Sequence, residues 1–269
     1  GNRVNALLVT TNGDLWASTG SDDSLRRFVQ RLRDNQWRTF ELPEDSGIVS
    51  AIVADSAGRI WAATSTGRLL RFDETGFEDA TSRTLAVPQA IRCLFASDDG
   101  SLWIGYGGRG VGRLRDSRFN LFNQENGLPE DYVLQIIPDN FGRLWFAGNR
   151  GICFVKRSEF DDLEAGRSPL IRPVSFGPNE NLPGTQASYG FWPGAIRSTD
   201  GKLWIPLQSG LIAVDAPSLR QNPVPPPVIV ERVIVDGHAF SLNDFGQSVV
   251  YSNAVANLER QRDQTKLLI

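Results

Sequence analysis

Five tryptophans of this sequence stand in one local setting, Gly-x-[Leu/Ile]-Trp, at Gly13 to Trp16, Gly58 to Trp61, Gly100 to Trp103, Gly142 to Trp145 and Gly201 to Trp204. Consecutive tryptophans are 45, 42, 42 and 59 residues apart. A period of this length constrains the fold more than composition does. Each repeat is one supersecondary unit, too small to cover its own apolar face, so neighbours must stack to make a core.

The segments around the tryptophans read as strands. Before each motif glycine runs an apolar stretch: Val4 to Val9, Val49 to Val53, Ile91 to Phe95, Val133 to Ile137, and a weaker Phe191 to Ile196. Turns such as Asp98-Asp99-Gly100, Asp139-Asn140-Phe141-Gly142 and Thr199-Asp200-Gly201 follow. There Asp and Asn bond the local backbone and Gly supplies the positive φ of a tight hairpin. A second glycine comes 6, 7, 6 and 6 residues after the Trp, at Gly67, Gly110, Gly151 and Gly210. It opens third strands at Leu69 to Phe72, Val111 to Leu114, Ile152 to Val155 and Leu211 to Val214. Leu25 to Phe28 takes that place in the first repeat, while Trp37 to Phe40, Phe119 to Phe122 and Ile171 to Phe176 read as fourth strands. Four short antiparallel strands, repeated, predict an all-β fold: a β-propeller of five four-stranded blades over residues 1–221, with the motif tryptophans between blades. Two geometries stay open, a ring closed by five blades and an arc of a larger ring.

The 59-residue interval carries an insertion, split between Ser158 to Pro169 and the stretch after Pro183. Ser158-Glu159-Phe160-Asp161 reads either as the cap of a short helix that runs to Glu164 and stops before Gly166, or as a solvated surface turn. Gln186 to Trp192 is aromatic and precedes an inner strand, which places it near the mouth of the central channel. Residues 222–227 form a stiff proline-rich linker. Residues 228–269 read as the front of a second, sandwich-like β domain, with a strand over Val228 to Val235, a turn at Asp236-Gly237 and a truncated strand at Lys266 to Ile269. The chain lacks Met and begins inside a strand pattern, which points to a segment of something longer.

With 28 basic and 31 acidic side chains, the sequence offers no electrostatic footprint for nucleic acid or an anionic membrane surface. It contains no apolar run of about 18 residues, so direct membrane insertion of this segment is not expected. The catalytic inventory is thin. His238, the single histidine, lies beyond the propeller in an Asp-Gly-His turn, which leaves no Ser-His-Asp triad and no His-based metal site at a channel mouth. No catalytic residue, metal or cofactor is therefore expected. Paired carboxylates, as in propeller glycosidases, stay open through Glu125, Glu130, Asp131 and Glu180. Cys93 and Cys153 fall on an inner and an outer strand of adjacent repeats and are expected to be buried free thiols. Gly107-Gly108-Arg109-Gly110 precedes no helix, so it reads as a tight strand connection rather than a phosphate cradle.

Two stretches carry a family likeness. Asp99-Gly100-Ser101-Leu102-Trp103-Ile104-Gly105, followed by Gly110 and a strand, resembles the two-component regulator propeller repeat of large bacterial membrane sensors, as does Asn126-Gly127-Leu128-Pro129 leading into Val133. Pro226-Pro227-Val228 through Val235-Asp236-Gly237 is similar to the start of the triple-tyrosine (Y_Y_Y) domain that follows such propellers. Repeats one and five depart from the pattern at Ala17-Ser18-Thr19 and Ile205-Pro206-Leu207. The resemblance implies the periplasmic or extracytoplasmic sensor region of an inner-membrane receptor, a homodimer formed through that receptor, and relay through the C-terminal β domain to a kinase or other output domain. A similar Gly-x-[Leu/Ile]-Trp rhythm occurs in propeller lyases, which rely on a histidine base.

Loops joining the second strand to the third, and the fourth to the next blade, converge on one propeller face around the channel, the default binding face. Tyr106, Arg109, Asp131, Tyr132, Asn149, Arg150, Tyr189, Trp192 and Gln208 are expected there. Arg, Asn and aromatic groups suit a small polar molecule such as an oligosaccharide, whose sugar faces stack on rings. The alternative is a scaffold face that grips a protein.

Overall fold

The motif glycines do what the hairpins require: Gly58, Gly100 and Gly142 have φ of 77°, 82° and 72°, a region side-chain-bearing residues avoid. The computed structural model describes residues 3–20, 27–178, 182–219, 232–235 and 238–241. The chain divides into two units, Gly1–Ser218 and Leu219–Ile269.

The first unit is a five-bladed β-propeller. Blade 1 comprises β1 (Arg3–Val9), β2 (Leu15–Gly20), β3 (Phe28–Arg33) and β4 (Gln36–Glu41), and blade 2 comprises β5 (Val49–Ala54), β6 (Ile60–Thr64), β7 (Leu69–Phe72) and β8 (Phe77–Asp79). Blade 3 is built from β9 (Ile91–Ala96), β10 (Leu102–Tyr106), β11 (Val111–Arg115) and β12 (Arg118–Phe122). Blade 4 holds β13 (Gln135–Pro138), β14 (Arg143–Ala147), β15 (Ile152–Lys156) and β16 (Val174–Phe176), with helix α1 (Arg157–Glu164) inserted before its last strand. Blade 5 shows β17 (Ile196–Arg197), β18 (Leu203–Leu207) and β19 (Gly210–Val214) among the described residues. All pairings within blades are antiparallel meanders. In the second unit, β20 (Arg232–Val235) pairs antiparallel with β21 (His238–Ser241).

Strand alternation gives each blade two faces. One carries the motif Trp and the other is mainly aliphatic, and the Trp face of one blade packs on the aliphatic face of the next. Ala6, Trp16 and Phe40 of blade 1 meet Val49, Ile52, Ile60 and Leu70 of blade 2. Trp61 and Leu69 of blade 2 meet Ile91, Leu94, Ile104 and Tyr106 of blade 3, and Trp103, Val111 and Phe122 of blade 3 meet Ile136, Leu144 and Phe146 of blade 4. Truncating a large aromatic at such a contact costs about 3–5 kcal/mol. Trp16, Trp61, Trp103 and Trp145 are buried, whereas Trp204 is only half-buried.

Several local expectations need correction. The third strand of blade 1 begins at Phe28, not Leu25, and Leu25 and Arg26 lie outside the described residues. The weak strand at Phe191 to Ile196 contracts to Ile196–Arg197, because the segment before it crosses toward blade 1. The insertion is the short helix rather than a solvated turn, but Ser158 does not cap it. Its N-cap is Lys156, without a side-chain cap, and Phe160 is fully buried, its ring centroid 4.9 Å from Trp103 and 4.8 Å from Phe122. The helix thus plugs the gap between blades 3 and 4. Arg113 of β11, itself buried, fixes it by an ion pair to Asp161 at 2.6 Å. The linker at 222–227, the turn Asp236-Gly237 and the end Lys266 to Ile269 lie outside the described residues. His238 opens β21 opposite Val235.

Candidate functional site

The site is assembled from three connections on one face. In blade 3, Gly107-Gly108-Arg109-Gly110 joins β10 to β11, as a tight strand connection should. Glycine is required there: a Cβ at Gly110 would lie 2.0 Å from the Phe122 carbonyl oxygen. The connection from blade 3 to blade 4 clamps this loop, since the Asp131 carbonyl accepts from the Gly108 and Gly110 amides at 3.1 and 2.7 Å. The same segment clamps blade 4, because the Glu130 carboxylate accepts from the Asn149 and Arg150 amides at 3.0 and 2.8 Å. The Asp131 carboxylate accepts from the Gln124 amide at 2.8 Å. Glu130 and Asp131 are therefore bound to backbone, an organising role. Glu180 lies outside the described residues.

Between these clamps an aromatic and cationic strip reaches solvent. Tyr132 is 48% exposed and pairs with Gly107 through an isolated bridge. Its ring lies over Gly108, where a Cβ would come within 3.5 Å of it. Arg92, on the inner strand β9, borders Gly107 on the other side and carries its guanidinium 5.1 Å from the ring centre of Tyr189, which is 44% exposed. Gln89 donates to the Gly107 carbonyl at 2.7 Å. Arg109, Arg150 and Gln208 are exposed and Asn149 is half-buried.

Two of the expected residues are placed differently. Tyr106 is buried at 1% exposure, because the β10 register sends it inward with Leu102 and Ile104, and burial pushes its phenol pKa up. Trp192 is half-buried on the inner side: it packs against the cores of blades 1–2, 2–3 and 3–4 alike. Its amide donates to the Asn5 carbonyl at 2.8 Å and its carbonyl accepts from the Leu7 amide at 2.9 Å, so this loop joins blade 5 to the inner strand of blade 1. Arg92 was missed in the sequence because it sits inside an apolar strand run; its position on an inner strand, next to the channel, was the available signal.

A cavity of about 30 Å³ is lined by Tyr132, Leu128, Phe146, Cys153, Glu130 and Arg150 among others. That is room for a water molecule rather than a sugar ring. Cys153 is a buried free thiol whose pKa is pushed up to about 12 by burial and then by the Glu130 charge. Cys93, also free and buried, is raised by burial as well. Neither is a reactive thiolate near neutral pH. No group of three His, Cys, Asp or Glu side chains among the described residues could hold a metal, and no described helix is long and apolar enough to cross a membrane.

Residues 127–150, which hold both clamps and Trp145, match the family model described as "Two component regulator propeller". The chain carries a regulator propeller repeat. Its opening glycine has a physical reason: Gly127 has φ 101° and a Cβ there would lie 2.4 Å from the Ile171 carbonyl oxygen. The chain also resembles solved structures at fold level. The extracellular domain of a hybrid two component system from B. thetaiotaomicron aligns with TM-score 0.57 and 16% identity, over 86% of this chain and 36% of that one. A second such domain from B. thetaiotaomicron aligns with TM-score 0.55 and 16% identity, over 89% of this chain and 34% of that one. A catalytically inactive virginiamycin B lyase from Staphylococcus aureus, solved with quinupristin, aligns with TM-score 0.58 and 17% identity, over 81% and 71%. This chain thus spans about a third of the two-component extracellular domains that it matches. No curated protein sequence matches it significantly.

Proposed function

We propose that this propeller is a non-catalytic part of the extracytoplasmic sensor region of a two-component receptor, and that it engages a small polar ligand, a saccharide being the best fit, at the strip formed by Tyr132, Gly107-Gly108, Arg92 and Tyr189. One observation carries the reading. Two exposed tyrosines flank a guanidinium, so rings can stack on sugar faces while Arg92 bonds hydroxyls. The regulator propeller repeat matched over residues 127–150, which include Tyr132, supports the sensory role, and the extracellular domains of similar fold support the compartment. Against lyase chemistry, the clamping carboxylates are engaged by backbone amides, and the chain's one histidine belongs to the other unit. The test is a thermal-shift screen of the chain against neutral and acidic oligosaccharides. A saturable rise in Tm that Tyr132→Ala and Tyr189→Ala abolish in cooperatively melting variants is expected. A shift that survives both substitutions would place the ligand elsewhere.

A second reading has its own support. Tyr132 and Tyr189 are exposed, and the cavity that Tyr132 borders holds only about 30 Å³, so the same rings also suit a protein partner. A partner chain that protects Tyr132 and Tyr189 from modification, with no oligosaccharide shifting Tm, would favour it.

A further inference from the structure

One inner-strand position departs from its own repeat. Two residues before the strand partner of each motif Trp stand Ala6, Ala51 and Cys93 in blades 1 to 3, all fully buried, whereas blade 4 has Gln135 there and blade 5 has Gly194. Gln135 is only 2% exposed, a place that a carboxamide tolerates when it has a hydrogen-bond partner. Its Nε2 donates to the Ser188 carbonyl at 2.9 Å. Gly194 makes the room: a Cβ there would lie 1.9 Å from Nε2 and 2.6 Å from Oε1 of Gln135, whose side chain supplies all three of the nearest atoms. The strap between these two contacts carries Tyr189. The Ser188 amide also donates to the Pro206 carbonyl at 2.9 Å, and Trp192 is tied to Asn5 and Leu7, but among the described residues no backbone hydrogen bond holds Tyr189, Gly190 or Phe191. The place of the Tyr189 ring beside Arg92 is therefore set by what holds the two ends of the strap.

We propose that Gln135 is a positioning residue for Tyr189: it holds the Ser188 end of the strap so that the ring is presented beside Arg92, and it acts on a ligand only through that ring. Packing alone does not call for a glutamine, because blades 1 to 3 fill the same position with Ala or Cys and leave the repeat intact. The paired change, a longer side chain in blade 4 and none in blade 5, gains a donor aimed at the strap. The value of this anchoring for ligand binding rests on the saccharide reading; the anchoring itself does not.

The test uses the full chain with its tyrosines replaced by fluorotyrosine and no ligand added. Fluorine NMR reads Tyr189 and Tyr132 separately, each resonance assigned by its Phe variant. Gln135→Leu keeps the bulk of the side chain without the donor. Gln135→Ala combined with Gly194→Ala restores the small-residue pattern of the other blades and guards against misfolding of the first variant. In both, the Tyr189 resonance is expected to move toward that of free fluorotyrosine while the Tyr132 resonance stays in place. Deuterium exchange of the Ser188 amide should quicken by about two- to tenfold, the worth of one lost hydrogen bond. A filler of the core would move neither reading. A cooperatively melting variant in which both are unchanged refutes the proposal, and so does equal movement of the two tyrosines, which would mean that the whole face has shifted. Movement of Tyr189 alone, together with an oligosaccharide screen that finds no ligand, would uphold the anchoring and sink the saccharide reading by itself.

Discussion

Blades 4 and 1 seat the same tryptophan in different ways. In blade 4, Asp139 stands six residues before Trp145 and accepts from its indole N–H at 2.9 Å, from Arg143 Nε, and from the Phe141 and Arg143 amides at 2.8 and 3.1 Å. Arg143 then donates to the Ala216 carbonyl of the blade 5 side at 2.9 Å. Blade 1 has Thr10 in that place, and the Trp16 indole N–H is buried without a hydrogen-bond partner. There Arg31, opposite Trp16 across the β2–β3 ladder, lays its guanidinium 5.5 Å from the indole centre. Blade 4 therefore adds a hydrogen-bonded brace to a cation near the ring, Arg143 lying 5.7 Å from the Trp145 ring centre, whereas blade 1 has the cation without the brace. The brace also ties two blades together through Ala216.

The largest expected effect is Asp139→Ala, which leaves the buried Arg143 without its counter-charge and removes an acceptor from Trp145. A loss of about 3–5 kcal/mol is expected from chemical denaturation. Thr10→Ala at the same repeat position should cost under about 1 kcal/mol, since Thr10 bonds only Asn12 and the Asp14 carbonyl within its own turn. Equal losses would mean that the brace is not what separates the blades energetically.

Next in size is the tryptophan pair. Trp145→Phe removes a donor that is satisfied by a carboxylate, and Trp16→Phe removes one that has no partner. Both lose similar ring volume, so the comparison isolates the hydrogen bond. Trp145→Phe should be the more destabilising by about 1–3 kcal/mol, and a difference near zero would show that the indole N–H of Trp16 is satisfied in solution.

The brace also predicts a pH dependence. Burial alone would raise the pKa of Asp139, but hydrogen bonds from Trp145, the Phe141 amide and Arg143 outweigh it and hold the carboxyl below its ordinary value. A depressed native pKa means stability that is fully present above the unfolded-state value, near 3.8, and is lost as pH falls through the lower native one. The Tm gap between Asp139→Asn and the unsubstituted chain should therefore be widest near neutral pH and narrow below about pH 4. A gap that stays constant to pH 2.5 would assign the effect to shape rather than charge.

This comparison also shows where the sequence was legible. The Gly-x-[Leu/Ile]-Trp period exposed the blades because glycine turns and inner-strand apolar runs are local requirements, repeated at each blade. Tyr106 was misplaced because it was assigned to the loop face, whereas it is the last residue of β10 and alternates inward with Leu102 and Ile104. Arg92 was hidden for a related reason, a polar residue on the channel side of an otherwise buried strand. Phe160 was misread because a helix insertion of unknown direction can lie on solvent or on a core, and only the gap between blades 3 and 4 decides.

The smallest effect sharpens the comparison most. Blade 2 repeats the brace, with Asp55 accepting from Trp61 Nε1 at 2.8 Å and from Arg59 Nε at 2.7 Å. Its arginine, however, has a side chain 52% exposed against 9% for Arg143. Arg59→Ala should therefore cost under about 1 kcal/mol, the range of exposed ion pairs, and its effect should shrink further in high salt. Arg143→Ala should cost several times more and respond little to salt, because it uncovers Asp139 and releases Ala216 in a place that water does not reach. Matching losses at the two arginines would mean that the carboxylate and the indole carry the brace in both blades, and that the link from blade 4 to blade 5 through Ala216 contributes little.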